Sequence, residues 1–165
     1  MVIFGDWMST DDNHDRTAET NRRPKGGGGD DYEFNRIDHI GIAVRDLDEA
    51  ITTYKKVLDL EFEGTEEVTQ QRVLVAKFRI GGVMIELLQP TSPKSSIARF
   101  LEKKGEGMHH IAYRVDDIDG CLGDLKAKEV PLIDEKARIG VGGSRIAFIH
   151  PRGTHGVLTE LVERR

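Results

Sequence analysis

Polar and apolar positions along this chain fall into patterns that each occur twice. The run Ile37-Asp38-His39-Ile40-Gly41-Ile42-Ala43-Val44 alternates with period two, so Ile40, Ile42 and Val44 share one strand face and His39 takes the other. A shift of 71 lays the run Gly107-Met108-His109-His110-Ile111-Ala112-Tyr113-Arg114-Val115 on top of it, with His110 on His39, Ile111 on Ile40, Val115 on Val44 and Asp117 on Asp46. His110 then faces away from Ile111, Tyr113 and Val115, and the same alternation sends His109 to the apolar side, as packing.

After the first strand, Asp46 with Glu49 predicts a capped helix whose apolar stripe is Leu47, Ala50, Ile51, Tyr54, Val57 and Leu58, ending near Asp59. Strands follow at about 61–66, 73–80 and 83–88, the last two joined by a Gly81-Gly82 turn. Ser95 or Ser96 caps a connector helix carrying Ile97, Phe100 and Leu101 and closed by Gly105. The second half repeats the order: a helix from Asp117 with Ile118, Cys121, Leu122 and Leu125 inward, a strand starting near Leu132, a glycine-rich turn at 140–143, and strands at 145–150 and 157–162. The chain is thus α+β, with two tandem βαβββ modules over about 36–90 and 107–165 and a connector helix in 91–106. Residues 35–165 form one domain around a central site. Residues 1–34, polar and closing on Gly26-Gly27-Gly28-Gly29, read as a disordered tail and linker that holds an inert His14.

Composition narrows the classes. Of the net charge of -5, the first 34 residues carry most, with four basic and eight acidic side chains against 20 and 21 in the rest, so the domain lacks the basic surface of a nucleic-acid partner. No apolar run spans a bilayer and no signal peptide opens the chain, which leads to the expectation of a cytoplasmic protein without membrane attachment. The single cysteine, Cys121, is read as buried filler.

A second alignment adds carboxylates. A shift of 74 lays Gly156 on Gly82, Val157 on Val83 and Glu160 on Glu86, so each final strand carries one glutamate inside an apolar run. A carboxylate buried alone costs several kcal/mol or becomes protonated. Taken singly, a strand histidine or glutamate is an ordinary hydrogen-bonded or solvent-facing residue. Taken as four repeat-equivalent positions, His39, Glu86, His110 and Glu160 point to a divalent metal held by two imidazoles and two carboxylates. Cobalt, manganese, iron, nickel, zinc and magnesium all suit such a set, and imidazole favours the transition metals. His150 and His155 are read as turn residues, and the 140–143 glycines lack the lysine and the strand-to-helix setting of a phosphate loop.

With these residues in hand, the chain resembles the vicinal oxygen chelate superfamily over about 36–163, and within it the methylmalonyl-CoA epimerases. The resemblance rests on the two histidine runs, on Met84-Ile85-Glu86-Leu87-Leu88-Gln89-Pro90, on the connector helix, on Gly142-Gly143-Ser144-Arg145-Ile146-Ala147-Phe148-Ile149-His150-Pro151 and on Gly156-Val157-Leu158-Thr159-Glu160-Leu161. It implies a homodimer with His39, Glu86, His110 and Glu160 as ligands of a divalent metal, cobalt first. It further implies methylmalonyl-CoA as substrate, epimerised through a metal-stabilised enolate, with Glu160 as the base on one face. Some such epimerases carry a second glutamate where this chain has Val75; Glu66, Glu67 and Lys77 are nearby substitutes. Two readings compete: a glyoxalase I-like lyase acting on a glutathione hemithioacetal, and a metal-free binding protein of the same fold. Lys94, Arg99, Lys103 and Lys104 are candidate contacts to CoA phosphates, against a plain solvated helix.

Overall fold

The computed structural model describes residues 34–164. The tail expected over 1–34 lies outside these residues except for Phe34, which opens the first strand. In chain order the first module holds β1 (Phe34–Ala43), α1 (Leu47–Val57), β2 (Glu61–Val68), β3 (Val73–Ile80) and β4 (Val83–Pro90). The connector is α2 (Ser96–Lys104). The second module holds β5 (Gly107–Val115), α3 (Ile118–Ala127), β6 (Arg138–Ile139), β7 (Arg145–Ile149) and β8 (Thr159–Glu163).

The repeat is visible in the helix starts. The Asp46 side chain accepts from Glu49 N at 2.9 Å and the Asp117 side chain accepts from Gly120 N at 3.0 Å, so both helices open on an aspartate cap 71 residues apart. α2 opens on Ser95, whose hydroxyl accepts from Ile97 N, and closes on Gly105 at φ 78°.

One eight-stranded sheet results, in the order β2-β3-β4-β1-β5-β8-β7-β6. β1 runs parallel to β4 and β5 parallel to β8, while β1 and β5 meet antiparallel at the centre, as two copies related by a pseudo-two-fold axis must. The sheet curls as a half-barrel. Its two faces hold separate cores. Ala76, Phe78 and Leu87 pack with α1 on one side, and Val115, Ala147 and Leu161 pack with α3. On the opposite face Val73, Val75 and Leu88 pack with Ile97 and Leu101 of α2. Cys121 is fully buried on the inner side of α3, packed in the core as filler.

The strand expected from Leu132 does not form; only an isolated bridge joins Leu132 to Ile149. Pro131 lacks an N–H, and the Asp134 carboxylate, rather than a backbone carbonyl, takes the N–H of Phe148 at 3.0 Å, which ends the ladder. The strand resumes only as the two residues of β6.

Candidate metal centre

The registers of the four central strands bring the site together. Across β1 and β5, His39 stands opposite Ala112 and His110 opposite Gly41. Across β1 and β4 Gly41 faces Glu86, and across β5 and β8 Ala112 faces Glu160. Each row therefore reads carboxylate, small residue, imidazole, and the two rows run in opposite senses. The small residue is what lets the imidazole lean over its neighbour. At Gly41 a Cβ would stand 2.2 Å from Cε1 of His110, closer than any packing tolerates.

All four residues are buried, each 5% exposed or less. Nε2 of His39 lies 3.0 Å from Nε2 of His110, and Oε2 of Glu160 lies 2.8 Å from the latter and 3.4 Å from the former. Oε2 of Glu86 lies 3.6 Å from His39 Nε2. His39, His110 and Glu160 form one cluster with ligand atoms within 4.8 Å of one another, and Glu86 joins it through His39.

Charge in this cluster is distributed unevenly. Burial alone would push the Glu160 carboxyl up, but the adjoining His110 and His39 outweigh it and hold it at about 2. Burial would likewise lower His39, yet the Glu86 carboxylate, the Asp38 hydrogen bond and Glu160 push it up to about 10. Glu86 moves the other way, raised by burial against the pull of His39. Oε1 of Glu86 is buried without a hydrogen-bond partner, the one such side-chain atom among the described residues. The Glu86 oxygen, buried beside a second carboxyl, thus lacks a partner for its lone pairs. A divalent ion meets that need, and separations of 2.8–3.6 Å between donor atoms suit ligands that share an ion at about 2.1 Å. The residues present fit a metal.

Two further groups touch the histidines. Asp38 Oδ1 lies 3.0 Å from Nδ1 of His39. Arg114 and Arg164 grip the same carboxylate at 2.7 and 2.6 Å. Burial opposes its ionisation, but His39 and the two guanidiniums hold the Asp38 carboxyl well below the usual carboxylate range. On the other module Nδ1 of His109 lies 2.9 Å from Nδ1 of His110, and the His109 ring meets Phe100 of α2 edge-on. This corrects the expectation that His109 turns to the apolar side. The β1–β5 register slips between the pairs Gly41–His110 and Ile42–Met108, leaving His109 as an extra residue on β5 and turning it toward His110. Burial and the nearby His110 lower its pKa to about 4.

The cluster forms the inner wall of a cavity of about 220 Å³. Val73, Val75, Leu88 and Phe148 give it apolar sides, while Arg72, Lys94 and Arg138 line it with positive charge. Glu86 and Glu160 are the only carboxylates among its described lining residues. Val75 lies in the wall. None of the proposed substitutes reaches the cavity: Glu66 is bonded to Lys77 at 3.1 Å and to the backbone N–H of Gly142 at 2.9 Å, and Glu67 is exposed. Lys94 lines the cavity itself, whereas Arg99, Lys103 and Lys104 line an adjoining groove that shares Ser96, His109 and His110 with it. His150 caps the turn after β7 and His155 lies in the loop before β8, both apart from the cavity.

Comparison with known proteins places these features in a wider group. Residues 38–148 match the model of the Glyoxalase/Bleomycin resistance protein/Dioxygenase superfamily. An uncharacterised Bacillus subtilis protein, YqjC, is 47% identical over 130 residues, covering 79% of this chain and 93% of that one. The mitochondrial methylmalonyl-CoA epimerase of Bos taurus is 38% identical over 136 residues, covering 82% and 78%. Among solved structures, a Streptomyces coelicolor methylmalonyl-CoA epimerase in complex with 2-nitronate-propionyl-CoA superposes with a TM-score of 0.76 at 41% identity, over 79% of this chain and 95% of that one.

Proposed function

The chain belongs to the glyoxalase/bleomycin resistance protein/dioxygenase superfamily, and from that premise we propose that it is a metal-dependent methylmalonyl-CoA epimerase. The observation that carries this reading is the convergence of His39, His110 and Glu160, with Glu86 Oε2 3.6 Å from His39 Nε2, at the inner wall of a cavity lined with cations. A divalent ion held by these four residues, cobalt foremost, would supply positive charge to the enolate that forms when the carbon between thioester and carboxylate loses its proton.

The chain's own side chains do the rest. Glu160 is ionised at neutral pH and takes the proton from one face of that carbon. Arg72, Lys94 and Arg138 give the anionic substrate its partners, and the groove bearing Arg99, Lys103 and Lys104 offers further cations to a phosphate-bearing arm. The apolar walls lower the local dielectric around the reacting carbon, which strengthens each of these interactions. Val75 makes one wall apolar where a second base would stand, so the proton returning to the opposite face comes from solvent at the cavity mouth. The enzyme works as a homodimer. α1 covers β3 and β4 and α3 covers β7 and β8, which leaves Phe34 and Ile37 exposed on the central strands, with half-buried Tyr113 against Phe34, as an apolar strip for a second copy.

The test is stereochemical. One epimer of methylmalonyl-CoA is expected to be converted to an equal mixture by the cobalt-loaded protein, with the rate abolished by chelation, restored by added ion, and lowered about 10²–10⁴-fold in Glu160→Gln. A protein that leaves the epimer unchanged but isomerises a glutathione hemithioacetal is a lyase of the same superfamily, and the proposal fails.

A further inference from the structure

Of the three irregularities in the central β1–β5 pairing, two are related by the internal repeat. On β1 the register slips between Ile37–Tyr113 and His39–Ala112, so Asp38 is the extra residue. On β5 it slips on either side of His109, between His110 and Met108. Asp38 and His109 are 71 residues apart, the same shift that relates His39 to His110. In regular strands, neighbours point to opposite faces; here the bulge turns the residue before each histidine toward that histidine's own side. Asp38 is 4% exposed directly beside His39, which is 3% exposed.

Each bulge residue meets the same atom of its histidine. Asp38 Oδ1 lies 3.0 Å from Nδ1 of His39, and Nδ1 of His109 lies 2.9 Å from Nδ1 of His110. Both Nε2 atoms point to the shared centre. An imidazole that gives Nε2 to a metal must carry its proton on Nδ1, and an acceptor at Nδ1 fixes that tautomer and the ring plane. We propose that Asp38 and His109 are paired positioning residues, each placed by its bulge, and that they make the two histidine ligands unequal: His39 leans on a carboxylate group, His110 on a second imidazole.

The inequality extends outward. Asp38 is fixed by Arg114 and by Arg164, which reaches it from the end of the chain, whereas His109 rests against Phe100 of the connector helix. A ring donating to a carboxylate is the stronger ligand, because negative charge near Nδ1 raises the basicity of Nε2. His109 also borders both the cavity and the adjoining groove, so the weaker support sits where the two meet.

This inference rests on the metal-site reading above, and the experiment separates the two. Co²⁺ affinity is measured by titration calorimetry, and the visible spectrum of the bound ion is recorded, for the full-length wild type, His109→Ala, His109→Asn and Asp38→Ala, with the melting temperature of each metal-free protein as a check on folding. The Asn amide oxygen takes the place of Nδ1 as acceptor. His109→Ala is expected to weaken Co²⁺ about 10–100-fold and shift the spectrum, His109→Asn to restore affinity to within about threefold, and Asp38→Ala to cost more than His109→Ala. Affinity and spectrum unchanged in His109→Ala, or Asn no better than Ala, overturn the proposal while leaving the metal site standing. A wild type that binds no divalent ion sinks both.

Discussion

Glycine at position 41 is the smallest requirement of the site and one of the strictest. It lies under the His110 ring, while its repeat equivalent, Ala112, carries a methyl beside His39, so the two halves have already diverged at this contact. Gly41→Ala is expected to displace His110, weaken metal binding at least tenfold and cost about 1–3 kcal/mol of stability through overpacking, measured by metal titration and urea unfolding. Unchanged affinity would mean that the ring is free to move. At this scale the sequence was partly legible. His39, Glu86, His110 and Glu160 stand out because duplication makes four ordinary residues correlate, and the structure does bring them together. Asp38 and His109 carry the same 71-residue correlation, but strict alternation hides them, since a bulge breaks period two without leaving a mark in composition. Arg164 was beyond reach, because nothing local ties the chain's end to Asp38 across 126 positions.

The elements follow the sequence where local chemistry decides them. Asp46, Asp117, Ser95 and Gly105 fix helix ends, and alternation fixes β3 to the residue. The strand expected near Leu132 failed because a side chain, Asp134, competes for the edge of β7, which pattern alone does not reveal. A second long-range contact shapes the cavity. Glu66 of β2 accepts from Gly142 in the glycine-rich turn of the other module, where Gly142 and Gly143 take φ of 63° and 74°. This bond, with burial opposing and Lys77 assisting, lowers the Glu66 pKa. A carboxyl lowered on folding contributes stability above its ordinary value of 4.5 and loses it as pH falls through the lower folded value. Glu66→Gln is therefore expected to melt a few degrees below wild type at pH 7, consistent with at most about 1 kcal/mol for a partly exposed pair, and to converge with it under acid. A gap that widens as pH falls would show that the latch is not ionic.

The described residues form a duplicated module folded onto itself, so the His39, His110 and Glu160 cluster lies between the two copies. Among the described residues no helix is long and apolar enough to cross a membrane. The outward strip along β1 and β5 leaves Phe34 47% and Ile37 37% exposed, and the reading above covers it with a second chain. Ile37→Asp is expected to halve the mass measured by light scattering while leaving the buried site intact; an unchanged mass would put the contact elsewhere. In the proposed reaction the carbon beside the thioester exchanges its proton, with Glu160 on one face and solvent supplying the other. Its most direct measurement follows one epimer of methylmalonyl-CoA in deuterated water by NMR with the cobalt-loaded protein, using His110→Ala as control. Inverted product carrying deuterium at that carbon in every molecule, absent with the variant, is the expected result. Inversion that retains the original proton would contradict solvent delivery, and the absence of both inversion and exchange would contradict the epimerase itself.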